Sequence, residues 1–154
     1  MPPVSNPAIT WQAIQAAATQ LGRISTANGF RTNAGNNVLV EQVQADPARG
    51  PVERLSVYLD RASRSPATLG GHGDWTLQIV VEADVRSIRA DAQHRAHAVM
   101  ADVFAVFPPG GIELSIAAGV VEIEAQNAEF LTRIDGSNAS VGQIRLQAIV
   151  RQLF

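Results

Sequence analysis

The stretch D-W-T-L-Q-I-V-V-E-A-D-V (residues 74–85), followed by S-I-R-A-D-A-Q-H-R-A-H-A-V-M-A-D-V-F-A-V-F (87–107), decides the fold. Its first part has period two. Trp75, Leu77, Ile79, Val81, Ala83 and Val85 fall on one face of an extended strand. Its second part has period 3.6. Ile88, Ala92, Ala96, Val99, Val103 and Phe107 form one helical stripe, with Ser87 as the expected N-cap. A long strand leading into a long helix supplies a sheet to pair with and a layer to pack on it.

Working outward toward the C-terminus, Pro108-Pro109-Gly110-Gly111 stops the helix. Alternation then returns twice, at 112–118 (Ile112, Leu114, Ile116) and at 120–125 (Val121, Ile123), with Gly119 between them as a turn or bulge. Residues 126–138 read as loop, with Asp135-Gly136 as a turn. A last strand is expected over 140–151. Its Ile144, Leu146, Ala148 and Val150 point inward, and Gln143, Arg145, Gln147 and Arg151 point outward.

Toward the N-terminus, 62–73 has no pattern and is rich in Ser, Pro and Gly, so it reads as a long loop. Residues 52–61 and 37–44 read as strands, separated by the polar break D-P-A-R-G-P. Residues 26–37 carry the Asn and Gly of tight turns. Before them, Trp11, Ile14, Ala18, Leu21 and Ile24 mark an amphipathic helix, capped by Asn6 or Thr10, and residues 1–6 form a loose arm.

The order is helix, three strands, helix, three strands. Most consecutive strands are joined by loops without helices, which favours antiparallel pairing. The expected fold class is α+β: a single two-layer domain over 1–154, with a mixed, mainly antiparallel β-sheet and two amphipathic helices packed on one face.

Composition narrows the chemistry. The chain has 154 residues, no cysteine, and 12 basic residues, all of them arginine. Thiol nucleophiles, disulfides and zinc–thiolate sites are excluded, as are a P-loop lysine and a Schiff-base lysine. The formal charge of −2 carries no basic excess for nucleic acid. The N-terminus lacks the basic and apolar regions of a signal peptide, and no apolar run is long enough to span a membrane.

Few residues invite a catalytic or metal role. His94 and His97 stand at i and i+3 on the second helix, one turn after Asp91. No further ligand completes a metal set. His72 lies in a glycine-rich loop near Asp74, but neither Ser63 nor Ser65 has the context of a nucleophile. Glu113, Glu122, Glu124 and Glu129 form an acidic cluster. Its ordinary role is a charged sheet edge that resists aggregation. Its functional role would be contact with an arginine-bearing neighbour. The expectation is therefore no catalytic residue, no cofactor and no metal.

Residues 24–35, I-S-T-A-N-G-F-R-T-N-A-G, follow the amphipathic helix and precede a strand. Together with W-T-L-Q-I-V-V-E-A at 75–83, A-D-V-F at 101–104, I-D-G-S at 134–137 and V-G-Q-I-R-L-Q-A-I-V at 141–150, this order resembles the bacteriophage tail terminator (minor tail, or tail completion) proteins of long flexible tails. The likeness runs nearly the whole chain. Phe30 and Asn33 stand where the family more often has tyrosine and aspartate.

The resemblance implies a structural virion protein, not an enzyme. It would cap the tail tube as a homo-hexameric ring, stop tube polymerisation and present a surface to the head–tail connector. Its partners would be itself, the major tail tube protein and the connector. DNA would pass through the ring lumen without sequence-specific binding, and no membrane is involved. The implied location is the head-proximal end of the tail, assembled in the bacterial cytoplasm. A neck protein of the same particle and a small enzyme are the competing expectations. A cyclic ring needs two unlike patches per subunit. The candidate contacts are Arg61, Arg64 and His72 in the long loop at 61–73, Glu122 and Glu124 in the acidic hairpin, and Arg145 on the last strand.

Overall fold

A computed structural model describes residues 8–41, 53–65, 74–86, 91–130 and 139–152. The elements, in order, are α1 (Ile9–Leu21), β1 (Val38–Val40), β2 (Glu53–Arg64), β3 (Trp75–Arg86), α2 (Ala92–Val106), β4 (Ile112–Ile116), β5 (Gly119–Phe130) and β6 (Ala139–Gln152). Two single 3-10 turns, Thr26–Asn28 and Ala34–Asn36, lie between α1 and β1. The strands form one six-stranded sheet in the order β1-β2-β3-β6-β5-β4. Only β1 runs parallel to its neighbour; the other pairings are antiparallel. This is the expected α+β architecture, with the last strand inserted beside β3 at the centre of the sheet.

The core lies between the sheet and the helices. Leu77, Ile79, Val81, Ala83 and Val85 of β3 are buried, as are Ile144, Leu146, Ala148 and Val150 of β6. They meet Ala96, Val99 and Val103 of α2 and Phe107 at its C-terminal cap, as the period-3.6 stripe requires. Ile88 and the expected cap Ser87 lie outside the described residues. Each fully buried Leu, Ile or Phe contributes about 1.5–3 kcal/mol.

α1 departs from its expected face. The buried residues are Gln12, Ala13, Ile14, Ala17, Gln20 and Leu21, while Trp11 and Ala18 are only half-buried. Two glutamines turn inward because each finds a distant backbone partner. The Gln12 side-chain oxygen accepts from Ala118 N–H at 3.0 Å, and Gln20 donates to the Val106 carbonyl at 3.1 Å. These bonds offset the cost of burying the amides. The N-cap position is Ala8, with no side-chain cap. Asn6 lies outside the described residues.

Two strands are longer than expected, for one physical reason. The β2–β3 register shifts between Leu59 and Arg61, and the β5–β6 register shifts between Ala125 and Asn127. Each extra residue, Asp60 or Gln126, breaks the period of two without ending the ladder. β2 therefore runs on to Arg64, and β5 runs on to Phe130 through what reads as loop. Conversely, β1 covers only Val38–Val40 of the expected 37–44, with residues beyond 41 outside the described set.

The bulges add twist and curl to the sheet. α1 consequently packs on β1 and β2 near one edge and on β4 at the other. α2 lies over the middle, on β3, β6 and β5.

Candidate functional site

The turn-rich stretch 24–36 proves to be an internally braced loop. The Asn33 side-chain oxygen accepts from both the backbone N–H and the hydroxyl of Thr26, at 2.9 and 3.1 Å. Asn28 donates to the Arg23 carbonyl at 2.9 Å, and Gly29 closes the first turn with φ 87°. Gly35 passes so close to the end of α1 that a Cβ there would stand 2.6 Å from the Leu21 carbonyl oxygen and 2.5 Å from that of Ile24 just beyond the helix. From below, the buried Asp102 carboxylate of α2 accepts from Arg31 N–H at 3.0 Å, and from Thr32 N–H and hydroxyl at 2.8 Å each. Ala34 is buried and Phe30 half-buried, while Arg23, Ala27, Asn28 and Arg31 are exposed. The loop is thus fixed from beneath and presents a rigid outer surface.

The sheet face turned away from the helices is polar and cross-braced. Tyr58 of β2 donates to Glu82 of β3 at 2.9 Å, and Gln143 of β6 donates to the same oxygen at 3.0 Å. Arg145 of β6 reaches Asp60 of β2 at 3.5 Å. Val80 lies between Tyr58 and Arg145 in the register and is only 2% exposed, although it is on the helix-free face. Burial, reinforced by the hydrogen bond to Glu82 and its charge, pushes the Tyr58 phenol up to about 12. Arg54, opposite Asp84 in register, is 7% exposed; its Nε and one terminal nitrogen are buried without a hydrogen-bond partner among the described residues.

The sequence-chosen contacts fall in three places. Arg61 and Arg64 are exposed residues of β2, not of a loop, because the strand continues past the Asp60 bulge. The Arg64 guanidinium lies 5.8 Å from the ring centroid of Trp75, its register partner, a cation–π distance. His72 lies outside the described residues. Glu122 and Glu124 belong to β5, and Glu122 stands directly opposite Glu113 of β4. Two like charges facing across a ladder oppose pairing unless something neutralises them. Glu124 accepts from Gly110 N–H at 3.1 Å. Arg145 is on the same helix-free face as Glu122 and Glu124, one strand away, and is occupied by Asp60 of its own chain.

His94 is exposed, and His97 rests against Phe130 with ring centroids 4.6 Å apart. No three potential metal ligands come together among the described residues. No helix among them is long and apolar enough to cross a membrane. Arg23 and Arg31 are absent from the sequence-derived set, yet they are the exposed cations of the braced loop. Their placement beside an Asn-Gly turn was the available signal, and only the hydrogen bonds to Asp102 reveal that the loop is stiff.

No protein-family model matches the chain, and no curated protein matches it in sequence. In three dimensions the chain is similar to one from the virion of a native gene transfer agent (GTA) particle. The identity is 18%, the TM-score 0.65, and the match covers 95% of this chain and 99% of that one. At this identity the likeness is one of fold.

Proposed function

We propose that this chain is a structural component of a phage or phage-like virion, and that within it the chain caps the tail tube as a ring. The observation that carries the proposal is the end-to-end likeness of fold to a virion chain. It is joined by the resemblance of 24–35, 75–83 and 101–104 to tail terminators. The braced loop ties two of those segments together: Asp102 of A-D-V-F holds Thr32 of T-A-N-G-F-R-T-N-A-G. The motif therefore builds a rigid surface rather than a reaction centre. Rigid surfaces lose less conformational freedom on association, which suits a protein whose work is binding.

In this reading the helix-and-sheet core is the ring scaffold. The exposed β2 end carrying Arg61 and Arg64 approaches the tube or a neighbouring subunit. The partners are further copies of the chain, the tail tube protein and the head–tail connector.

The test is removal of the gene from the element that encodes it, followed by electron microscopy of the particles. A tube-capping protein leaves filled heads without tails, beside free tails longer than normal. A neck protein leaves unjoined tails of normal length. Normal particles would end the virion reading altogether.

A further inference from the structure

We infer that the subunits of the ring meet head to tail, with the braced loop of one copy docking on the β4–β5 edge of the next. The inference rests on the ring reading above and names the surface it uses. The loop adjoins β2 and leads into β1 at one edge of the sheet. β4 is the opposite edge. Five strand spacings separate them, about 24 Å along the curved sheet. A closed ring built from one kind of contact needs two unlike surfaces set apart in this way.

The surfaces are complementary in charge. On the loop, Arg23 and Arg31 are exposed, and no side-chain ion pair holds either of them among the described residues. On the far edge, Glu113 and Glu122 face one another with Glu124 beside them. No basic side chain forms an ion pair with any of these three among the described residues. Incoming guanidinium groups would relieve the repulsion between the facing carboxylates.

The surfaces also fit in other respects. Among the described residues β4 pairs with β5 alone and forms an edge of the sheet, and Ile112, Leu114 and Ile116, packed against the core, stay half-buried there. Phe30, half-buried and next to Arg31, offers an aromatic anchor beside a cation, the residue pair that dominates many interfaces. The loop is already fixed by Asp102 and Asn33, so docking orders nothing new.

The absence of cysteine makes the contact directly testable. Arg31→Cys and Glu113→Cys are introduced into one chain, and the protein is treated with a short bis-maleimide that spans an Arg–Glu pair. A head-to-tail contact yields a ladder of covalent oligomers, whereas each single variant yields no more than dimers. Only species larger than one chain are read, so linkage within one copy does not enter the result. A double variant giving no ladder beyond the single variants overturns the inference.

Charge exchange supplies a second arm, read by sedimentation. Arg23→Glu with Arg31→Glu lowers ring association at least tenfold, and adding Glu113→Arg with Glu122→Arg to the same chain restores it. No restoration also overturns the inference. If wild-type protein still forms rings while both arms fail, only the docking assignment falls. If wild-type protein never associates and gene removal leaves particles normal, the ring reading falls with it.

Discussion

Asp102 and Thr32, seventy residues apart, are joined by two hydrogen bonds of 2.8 Å, one from the backbone N–H and one from the hydroxyl. With Arg31 N–H as a third donor, a single buried carboxylate fixes the chain's most distinctive turn to the middle of α2. Asp102→Ala leaves the buried Thr32 N–H and hydroxyl and the part-buried Arg31 N–H without their acceptor, and we expect a loss of about 3–5 kcal/mol. Asp102→Asn keeps the shape and one accepting oxygen and should cost roughly half as much. Urea unfolding measures both. Equal stability of Asp102→Ala and wild type would show that the bonds do not anchor the loop.

Gly35 and Gly29 are both glycines of that loop but serve different needs. Gly35→Ala drives a methyl into the Ile24 and Leu21 carbonyls, at 2.5 and 2.6 Å, and should cost about 3 kcal/mol as overpacking against backbone. Gly29→Ala meets nothing within 4 Å and incurs only the left-handed φ penalty, about 1 kcal/mol. Thermal melts that rank the two in the opposite order would refute the close-approach account.

Tyr58 is the single tyrosine of the chain, so ultraviolet titration reports on it alone. Its ionisation should centre near 12, against about 10 for an exposed phenol. The folded value exceeds the unfolded one, so the neutral phenol stabilises the fold fully below pH 10. That contribution fades as pH climbs toward 12. Glu82→Gln removes the charge that reinforces burial and should move the midpoint down. A midpoint unchanged by that substitution would leave burial as the whole cause.

The Arg145–Asp60 pair is 3.5 Å long, and its side chains are 42% and 48% exposed. Such pairs contribute little, so Arg145→Ala should change stability by less than about 1 kcal/mol. A double-mutant cycle with Asp60→Ala isolates the term. A larger coupling would mean that the pair, together with the Tyr58–Glu82–Gln143 bonds, acts as one network over Val80.

Much of the fold is legible from alternation and helical period. The strand at 75–86 and the stripe Ala92, Ala96, Val99, Val103, Phe107 stand where the pattern puts them. Two features hide from such patterns. Bulges at Asp60 and Gln126 reset the period of two, so the strand ends beyond them read as loop. Inward-facing Gln12 and Gln20 look like solvent residues, because their partners, Ala118 and Val106, lie far along the chain. The site is legible only as a likeness. T-A-N-G-F-R-T-N-A-G is readable as a turn-rich stretch that resembles a known motif, but that its acceptor is Asp102 requires a contact across some seventy residues. Likewise Arg145 reads as a free outward cation, while the curled sheet brings Asp60 to it from two strands away.

The buried amide of Gln12 has a consequence for how the protein is made. Its partner, Ala118, emerges from the ribosome 106 residues later, and the central strand β3 must wait for β6 before both its edges are paired. The first helix synthesised therefore cannot complete its packing until β4 and β5 exist. Chains dominated by such distant contacts fold slowly and expose unpaired strands meanwhile. The β4–β5 edge is thus among the last parts of the sheet to form, and it is completed only when the scaffold that carries it is nearly whole.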